Sequence, residues 1–311
     1  MIHHQQKIQH SNDRKMKNFR ELLSSKELSF LMEAHNGLSA RIVQKTGFSA
    51  IWASGLSISS AMGFRDSNEA SWTQVLETVE FMADNTDIPI LLDGDTGHGN
   101  FNNFRMLVKK LCHIGVAGVC IEDKVFPKTN SFIGTKQRLA DVDEFCGKIK
   151  AGKDTQLHES FSIIARIESL IAGLGMDDAL KRAYAYHEAG ADGLVIHSKN
   201  KDADEVLEFA RLWNNRCPLI LIPTKYYNTP TEDFRKVKAS AVIWANHNLR
   251  SSFSIMQKTC KTIYEEESLV NIEKNVATVN EIFSLFDYEE LAKAEEYYLS
   301  NHAIRGAHNA C

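Results

Sequence analysis

Eight short runs of apolar, often β-branched residues recur along the chain, and a longer segment of mixed polarity separates each run from the next. Such runs are typical of strands that are buried on both faces. The segments between the runs are therefore the candidates for helices. The runs cover residues 30–34, 50–54, 88–92, 116–121, 163–167, 193–197, 219–223 and 241–245.

The intervening segments carry helical spacing. Starting at Phe104, apolar residues fall at i, i+3, i+4 and i+7, which is one stripe of a helix that Gly115 would end. Residues 279–285 and 289–299 follow the eighth apolar run and predict helices added after the last repeating unit. Strand and helix thus alternate through most of the chain.

This alternation, with no Gly/Pro/Ser-rich linker to divide it, predicts a single (β/α)8 TIM barrel with extra C-terminal helices. A doubly wound open sheet is the alternative, but no Gly-x-Gly-x-x-Gly follows the first strand, so a dinucleotide site has no support. Residues 1–18 are polar and His-rich and predict a disordered leader, residues 19–300 the barrel with its C-terminal helices, and residues 301–311 a tail.

Composition narrows the function classes. The net charge of −4 over 311 residues provides no bulk field that would recruit nucleic acid or an anionic membrane, so any anionic ligand must be held by a few local cations. The six cysteines show no Cys-x-x-Cys spacing, which favours reduced thiols. With neither a signal peptide nor an apolar span in the sequence, we expect a cytoplasmic protein.

Polar residues cluster where the predicted strands end, which is where barrel enzymes build their active sites. Any one of them could be a solvated loop charge or a helix cap; Asp66, for instance, precedes Ser67 and Asn68, which could simply cap a helix that begins near Ala70. Their joint placement favours a functional site. The strand-end residues are Trp52, Ser54, Gly55, Asp66, Asp93, Asp95, Glu122, Asp123, Arg166, Glu168, His197, Asn246 and His247.

The acidic members of this set offer hard oxygen ligands, which predict Mg²⁺ or Mn²⁺ rather than zinc. Because Mg²⁺ keeps several waters, Asp93 could bind it directly while Asp66, Asp95 and Glu122 hold its hydration shell. A bidentate ligand such as a 2-oxo acid could complete the coordination. Arg166 and His197 supply donors suited to a tetrahedral anion.

Five segments together resemble the phosphoenolpyruvate phosphomutase family, which belongs to the isocitrate lyase superfamily. The resemblance extends over nearly the whole chain, and the Glu-Asp-Lys to Asn-Ser segment is highly specific. The segments are Trp-Ala-Ser-Gly-Leu-Ser at 52–57, Arg-Asp-Ser-Asn-Glu-Ala-Ser-Trp at 65–72, Asp-Gly-Asp-Thr-Gly-His-Gly-Asn at 93–100, Glu-Asp-Lys-Val-Phe-Pro-Lys-Thr-Asn-Ser at 122–131 and Pro-Thr-Lys-Tyr-Tyr at 223–227.

The resemblance implies a Mg²⁺-dependent interconversion of phosphoenolpyruvate and 3-phosphonopyruvate. It also implies a dimer of dimers in which the last helices are exchanged between subunits. Carried over to this chain, it places the metal group on Asp66, Asp93, Asp95 and Glu122, the closing loop on Lys128, Thr129, Asn130 and Ser131, the phosphoryl-binding group on Arg166 and His197, and the pyruvyl-binding part on Trp52, Ser54, Gly55 and Leu56.

Three departures from the usual family pattern are Gly94 in place of alanine, Ala53 in place of glycine, and His98 in place of tyrosine. None of them removes a ligand. Gly94 could loosen the end of the third strand, and His98 could make metal or substrate binding depend on pH.

Three alternatives remain open at this level. A carbon–carbon lyase of the same superfamily would carry a Lys-Arg-Cys-Gly-His stretch where this chain reads Lys-Val-Phe-Pro-Lys at 124–128, and Cys120 lies within the strand instead. A phosphonopyruvate hydrolase would share most of the site, although Asn130 and Ser131 favour the mutase. A barrel that only binds a metabolite would have little need of so many charged groups.

Overall fold

A computed structural model describes residues 2–134 and 137–299 of the chain. Eight parallel strands pair in sequence order and close into a barrel, so the predicted (β/α)8 barrel is confirmed. The strands are β1 (Ser29–Ala34), β2 (Ala50–Ala53), β3 (Ile90–Asp93), β4 (Gly118–Glu122), β5 (Ser162–Ile167), β6 (Gly193–Ile196), β7 (Leu219–Leu221) and β8 (Ala241–Trp244).

Helices precede, connect and follow these strands. A single 3₁₀ turn at Glu273–Asn275 lies among the last of them. The helices are α1 (Ile2–Ser24), α2 (Gly37–Thr46), α3 (Gly55–Ala61), α4 (Trp72–Asp84), α5 (Phe101–His113), α6 (Val142–Lys153), α7 (Ser169–Ala172), α8 (Gly175–Glu188), α9 (Asp204–Trp213), α10 (Thr231–Lys236), α11 (His247–Glu266), α12 (Val279–Phe283) and α13 (Tyr288–Tyr298).

Helix α5 shows how the sequence pattern becomes packing. The Asn100 side chain caps its N-terminus by accepting the Asn102 amide at 2.9 Å, and the chain turns out of the helix before Gly115 at φ 75°. The apolar stripe that begins at Phe104 is fully buried against the barrel. The predicted helical stripe is therefore the face that packs on the strands.

Strand register brings the polar strand ends together. Asp93 is aligned with Cys120, and Glu122 is aligned with Arg166, so the ends of β3, β4 and β5 meet at one rim. Immediately after β3, a Cβ on Gly94 would lie 2.5 Å from Val119 Cγ2. The glycine therefore allows close packing of β3 on β4 in this chain, which gives a structural reason for its presence instead of alanine.

The N-terminal segment corrects one prediction. Residues predicted as a disordered leader, 1–18, instead belong largely to α1, in which Met16, Phe19 and Leu23 are buried. These three residues form a narrow stripe that the polar composition around them concealed. Of the histidines in this segment, the side chains of His3, His4 and His10 lie outside the described residues.

Helix α1 lies across the amino ends of the strands, on the face away from the polar rim. The Lys15 ammonium donates to the Ala83 carbonyl at 2.8 Å, at the end of α4. Arg20 donates to the Phe161 carbonyl just before β5 and pairs with Asp192 just before β6, at 2.7 Å. The helix thus covers the bottom of the barrel.

The chain divides into two compact units, one ending at Arg250 and the other beginning at Ser251. Helices α12 and α13 fall in the second unit and match the C-terminal helices predicted from the sequence. The single domain predicted for residues 19–300 and the exchange of helices between subunits stay predictions, and the predicted tail lies outside the described residues. In the described part, no helix combines the length and apolar character needed to cross a bilayer.

Candidate active site

A pocket lies at the carboxyl ends of the strands. It collects most of the predicted site residues. Those that do not line it are Gly55, Asp95, Asp123, Thr129, Glu168 and His247. Its lining comprises Trp52, Ser54, Leu56, Asp66, Asp93, Glu122, Lys128, Asn130, Ser131, Phe132, Arg166, His197, Ile222, Thr224, Ala245 and Asn246.

Four carboxylates form the acidic side of the pocket. Asp93, Asp95 and Glu122 are each less than 9% exposed, and Asp66 joins them from the loop before α4. Burial raises the pKa of Asp93 and of Asp95, although Lys128 partly offsets it, and burial raises the pKa of Glu122 to about 7 against the opposing effect of Arg166. Burial therefore disfavours the ionised forms of Asp93, Asp95 and Glu122.

The Lys128 ammonium lies among these carboxylates. It pairs with Asp66 Oδ1 at 2.7 Å and also with Asp95 Oδ1. Burial alone would lower the pKa of Lys128, but the carboxylates, Asp95 and Glu122 foremost, outweigh it and raise the pKa well above its usual value. Lys128 is therefore a permanent cation in the acidic side of the pocket.

The acidic side fits a hydrated hard cation. Among residues 2–134 and 137–299, no three His, Cys, Asp or Glu side chains lie close enough together to ligate an ion directly. Glu122 Oε1 nevertheless is buried and has no hydrogen-bond partner in the described chain. Oxygen donors that are spread around a space and incompletely satisfied suit Mg²⁺, which keeps several waters and binds through one or two carboxylates.

The opposite side of the pocket is basic and is organised by Glu168. This fully buried carboxylate accepts Arg166 Nε at 2.6 Å and the Ser131 hydroxyl at 2.7 Å, and it pairs with Lys124 Nζ at 3.2 Å. Burial alone would raise the pKa of Glu168, but Arg166, His197 and Lys124 outweigh it and hold the pKa well below its usual value. Glu168 is therefore ionised and fixes the groups around it.

His197 completes the basic side. Its Nδ1 lies 2.8 Å from Glu168 Oε1 and 2.7 Å from Arg166 Nη2, and in one tautomer only one of these contacts can be a hydrogen bond. Burial, followed by the neighbouring Arg166, lowers the pKa of His197, which favours the neutral ring. If Nδ1 accepts from Arg166, then Nε2–H remains as a donor for an anionic ligand.

The loop after β4 is held over the pocket from both sides. Asn130 Nδ2 donates to Asp66 Oδ2 at 2.6 Å, and the backbone amide of Lys128 donates to Asn68 Oδ1 at 2.7 Å. From below, Lys124 Nζ donates to the Thr129 carbonyl at 2.9 Å and to Ser131 Oγ at 2.7 Å. The loop thus places Asn130 and Ser131 in the pocket.

The end of β2 forms the remaining wall. Ser54 Oγ accepts the Ser57 amide at 3.3 Å and so caps the start of α3, while Leu56 and Trp52 line the pocket. Gly55 does not reach the pocket, but its backbone amide donates to Asp93 Oδ2 at 3.2 Å. A Cβ on Gly55 would lie 3.0 Å from Asp95 Oδ1, so the glycine permits the close approach of the two aspartates.

Some contributors could not be assigned from the sequence. The sequence suggests Asn68 as a helix cap, but Ser71 caps α4. Asn68, whose φ is 60°, instead donates to Asp95 Oδ2 at 2.7 Å. The sequence predicts Glu168 at the rim but gives it no role, and it gives Lys124 none. For Lys124 and Glu168 the sequence offers only their position just after a buried strand, and Asn68, in the loop between α3 and α4, lacks even that signal.

A closed parallel barrel that gathers acidic and basic side chains at the carboxyl ends of its strands defines a (β/α)8-barrel enzyme. The model of the phosphoenolpyruvate phosphomutase family matches residues 19–264. The chain belongs to the phosphoenolpyruvate phosphomutase family, as the sequence motifs predicted.

Relatives agree with this assignment. The chain is 57% identical over 290 residues to the phosphoenolpyruvate phosphomutase of Tetrahymena pyriformis, an alignment that covers 93% of this chain and 97% of the relative. Among solved structures, the phosphoenolpyruvate phosphomutase of Streptomyces platensis subsp. rosaceus has a TM-score of 0.89 at 38% identity, covering 92% of this chain and 99% of that one. A phosphonopyruvate hydrolase in complex with oxalate and Mg²⁺ has a TM-score of 0.87 at 34% identity, with the same coverage.

Proposed function

We propose that this chain is a phosphoenolpyruvate phosphomutase, which moves a PO₃ group between the carbon of 3-phosphonopyruvate and the enolate oxygen of pyruvate to give phosphoenolpyruvate. The observation that carries the proposal is the division of one pocket into an acidic side around Asp93 and a basic side around Arg166 and His197, with Asn130 and Ser131 held over it. The 57% identity to a named phosphomutase supports the same conclusion.

The reaction needs no proton transfer. The phosphorus–carbon bond breaks, its electron pair remains on the pyruvyl part as an enolate, and the enolate oxygen then forms the new bond to phosphorus. The basic side, with Arg166 and His197, holds the loose, metaphosphate-like PO₃ group while the pyruvyl part turns its oxygen toward it. Trp52 and Leu56 provide the wall against which the pyruvyl part rests.

Mg²⁺, with Mn²⁺ as a substitute, is the cofactor that we propose. Asp93 would hold it directly, and Asp66, Asp95 and Glu122 would hold its water shell. When bound, the cation supplies positive charge that stabilises the developing enolate. Lys128, which already pairs with Asp66 and Asp95, neutralises part of the carboxylate charge when the cation is absent.

The loop keeps water away from the PO₃ group. Water that captured this group would yield phosphate and pyruvate, which are the products of hydrolysis. In this chain Asn130 donates a hydrogen bond to Asp66, and Ser131 donates one to Glu168, so the two loop residues are attached to opposite sides of the pocket. We infer that this double attachment favours the mutase over the hydrolase.

A carbon–carbon lyase of this superfamily would require, in the loop after β4, a cysteine that acts as a general acid. Cys120 instead lies inside the strand, where burial raises the pKa of its thiol well above the usual value. The thiol is thus both enclosed and protonated. This geometry disfavours carbon–carbon bond cleavage of the kind that uses a cysteine acid.

A ³¹P NMR time course with 3-phosphonopyruvate and Mg²⁺ tests the proposal. We expect the resonance of phosphoenolpyruvate to appear and to reach the same final ratio from either direction. Inorganic phosphate as the first product would identify a hydrolase. No change in the spectrum, with the substrate bound according to calorimetry, would identify a binding protein.

We also propose a homo-oligomer, a dimer of dimers in which the C-terminal helices are exchanged. In support, the second unit leaves large apolar side chains open to water, among them Val279, Phe283 and Leu291, each at least 47% exposed. Light scattering coupled to size exclusion should report a tetramer, and a monodisperse monomer would reject this assembly.

For the compartment, we propose the cytoplasm. All five cysteines that the structure describes are unpaired, and burial raises the pKa of four of their thiols, those of Cys112, Cys120, Cys146 and Cys217. Unreactive, reduced thiols suit a reducing environment. Fractionation of expressing cells, with a cytoplasmic marker enzyme as the reference, is the corresponding measurement.

A further inference from the structure

A second, more open pocket adjoins the first on the side of β7 and β8. The two pockets share Phe132, Thr224 and Asn246 as a common wall. The remaining lining of the outer pocket is Lys201, Lys225, Tyr227, Asn228 and Arg250. Among the described residues, this lining contains three cations and no carboxylate.

The cations of the outer pocket are available to a ligand. Lys201 and Lys225 are exposed, and neither forms an ion pair within the described ranges. Unpaired cations that surround one opening create a local positive potential in a chain whose net charge is −4.

Phe132 connects the two pockets. Its ring meets the His197 ring edge-on, with centroids 5.4 Å apart, and the Lys225 ammonium lies 4.7 Å from the centre of the same ring. One side chain of the closing loop therefore contacts the basic side of the inner pocket and the wall of the outer pocket. Phe132 therefore contacts both Lys225 and His197 at the wall that the two pockets share.

We propose that the outer pocket is an anion-collecting vestibule, a binding site in which Lys201 and Lys225 receive a small polyanion before it enters the inner pocket. Its ligand is a compact carboxylate that bears a phosphoryl or phosphonyl group, with about three negative charges near neutral pH. The proposal rests on the proposed function for the identity of this anion. It also accounts for Lys225 in the Pro-Thr-Lys-Tyr-Tyr segment, to which the chemistry of the inner pocket assigns no role.

The physical consequence is a faster encounter. Clustered charge at the mouth of a cleft raises the association rate of an oppositely charged ligand by roughly 10- to 1,000-fold, and salt removes the gain. Two lysines that do not touch the reacting atoms should therefore affect association and leave the turnover number unchanged. A residue that contacts the bound substrate would affect the dissociation rate as well.

The test measures association directly. Sulfopyruvate, an unreactive analogue, is mixed with the Mg²⁺-loaded protein in a stopped-flow instrument, and Trp fluorescence reports binding because Trp52 lines the inner pocket. The variants are Lys201→Gln, which does not touch the loop, and the double variant Lys201→Gln/Lys225→Gln. Lys109→Gln is the matched control, because Lys109 is exposed on α5, away from both pockets.

We expect the double variant to lower the association rate about tenfold at low ionic strength and less than twofold in about 0.5 M KCl, with the single variant intermediate. The dissociation rate and kcat should match those of the parent protein and of the control. Equal association rates for all proteins at low salt would overturn the vestibule. So would a loss that persists at high salt or that appears mainly in the dissociation rate.

The same experiment separates the vestibule from the proposed function. If the parent protein binds sulfopyruvate with the expected lysine and salt dependence but does not convert 3-phosphonopyruvate, the vestibule stands and the mutase proposal fails. If conversion occurs and the lysines have no effect on association, the mutase proposal stands and the vestibule fails.

Discussion

Glu168→Gln is the most informative single substitution, because the Glu168 carboxylate joins both halves of the basic side of the pocket. One oxygen accepts from Arg166, and the other accepts from Ser131 and pairs with Lys124. Glutamine keeps the shape of the side chain but has one acceptor oxygen and one NH₂ group. Whichever way the amide turns, its NH₂ group faces donors, and Arg166 and Lys124 lose a charged partner.

The expected effects follow from burial. Removing one charge from a buried ion pair costs about 3–5 kcal/mol when its partner stays behind, and Gln should reach the lower part of that range because it retains one acceptor. For a domain of this size the melting temperature should fall by roughly 5–10 °C. Since Arg166 and Ser131 would no longer be held in place, kcat should fall by about 100- to 1,000-fold, the usual effect of losing a preorganised donor.

Thermal unfolding and a ³¹P NMR rate assay measure the two effects on the same preparations. Glu188→Gln, an exposed change on α8, is the control for the loss of one carboxylate. Glu168→Asp, which restores the charge, should recover most of the stability and part of kcat. The reasoning is refuted if Glu168→Gln melts within 2 °C of the parent, a margin of about 1 kcal/mol or less, and turns over at a similar rate.

Three further predictions concern the loop, the barrel wall and the acidic side. Asn130→Ala should lower mutase turnover by about 100- to 1,000-fold, because it removes the donor to Asp66 that holds the loop over the pocket. ³¹P NMR should then also detect some inorganic phosphate. Near-normal turnover would exclude this role of the loop. Gly94→Ala should lower the free energy of unfolding by about 1–3 kcal/mol, because the added Cβ would lie 2.5 Å from Val119 Cγ2. Denaturant unfolding of a double-mutant cycle tests this, since Val119→Ala should relieve part of the cost. Additive effects of the two substitutions would contradict the clash. Because the pKa of Glu122 is raised to about 7, the folded state binds its proton more tightly than the unfolded state does, so the metal-free protein should lose stability as pH rises from about 5 to about 8. Mg²⁺ should reduce that loss of stability. Scanning fluorimetry at several pH values, with EDTA or with Mg²⁺, measures it. If Glu122→Gln showed the same dependence of melting temperature on pH as the parent, Glu122 would not be the titrating group.

The strands were predictable because strands that are buried on both faces consist of apolar residues. All eight observed strands lie within or overlap the apolar runs in the sequence, and no strand begins more than two residues from the start of its run. Parallel strands in a closed barrel are buried on both faces, so each appears as a continuous apolar run. The carboxyl ends of the strands in such a barrel share one rim, so the sequence alone predicts that Asp93, Glu122 and Arg166 lie together.

Other features of the structure could not be predicted from the sequence, because they depend on a few contacts between residues that are far apart in the chain. Helix α1 packs through Met16, Phe19 and Leu23, too few apolar positions to stand out in a polar segment. The role of Asn68 depends on its distance from Asp95 and from the loop after β4, which local sequence does not encode. Propensity describes single segments well, whereas hydrogen bonds between segments require the folded chain.

Helix α1 also has a practical consequence. Because it covers the amino ends of the strands while the pocket opens at their carboxyl ends, stability and chemistry are located at opposite poles of the cylinder. A truncation that removed Met16 and Phe19 would uncover apolar surface far from the substrate and shorten the lifetime of the enzyme while sparing its turnover. Immobilisation through the amino-terminal pole would, for the same reason, leave the mouth of the pocket facing the solution.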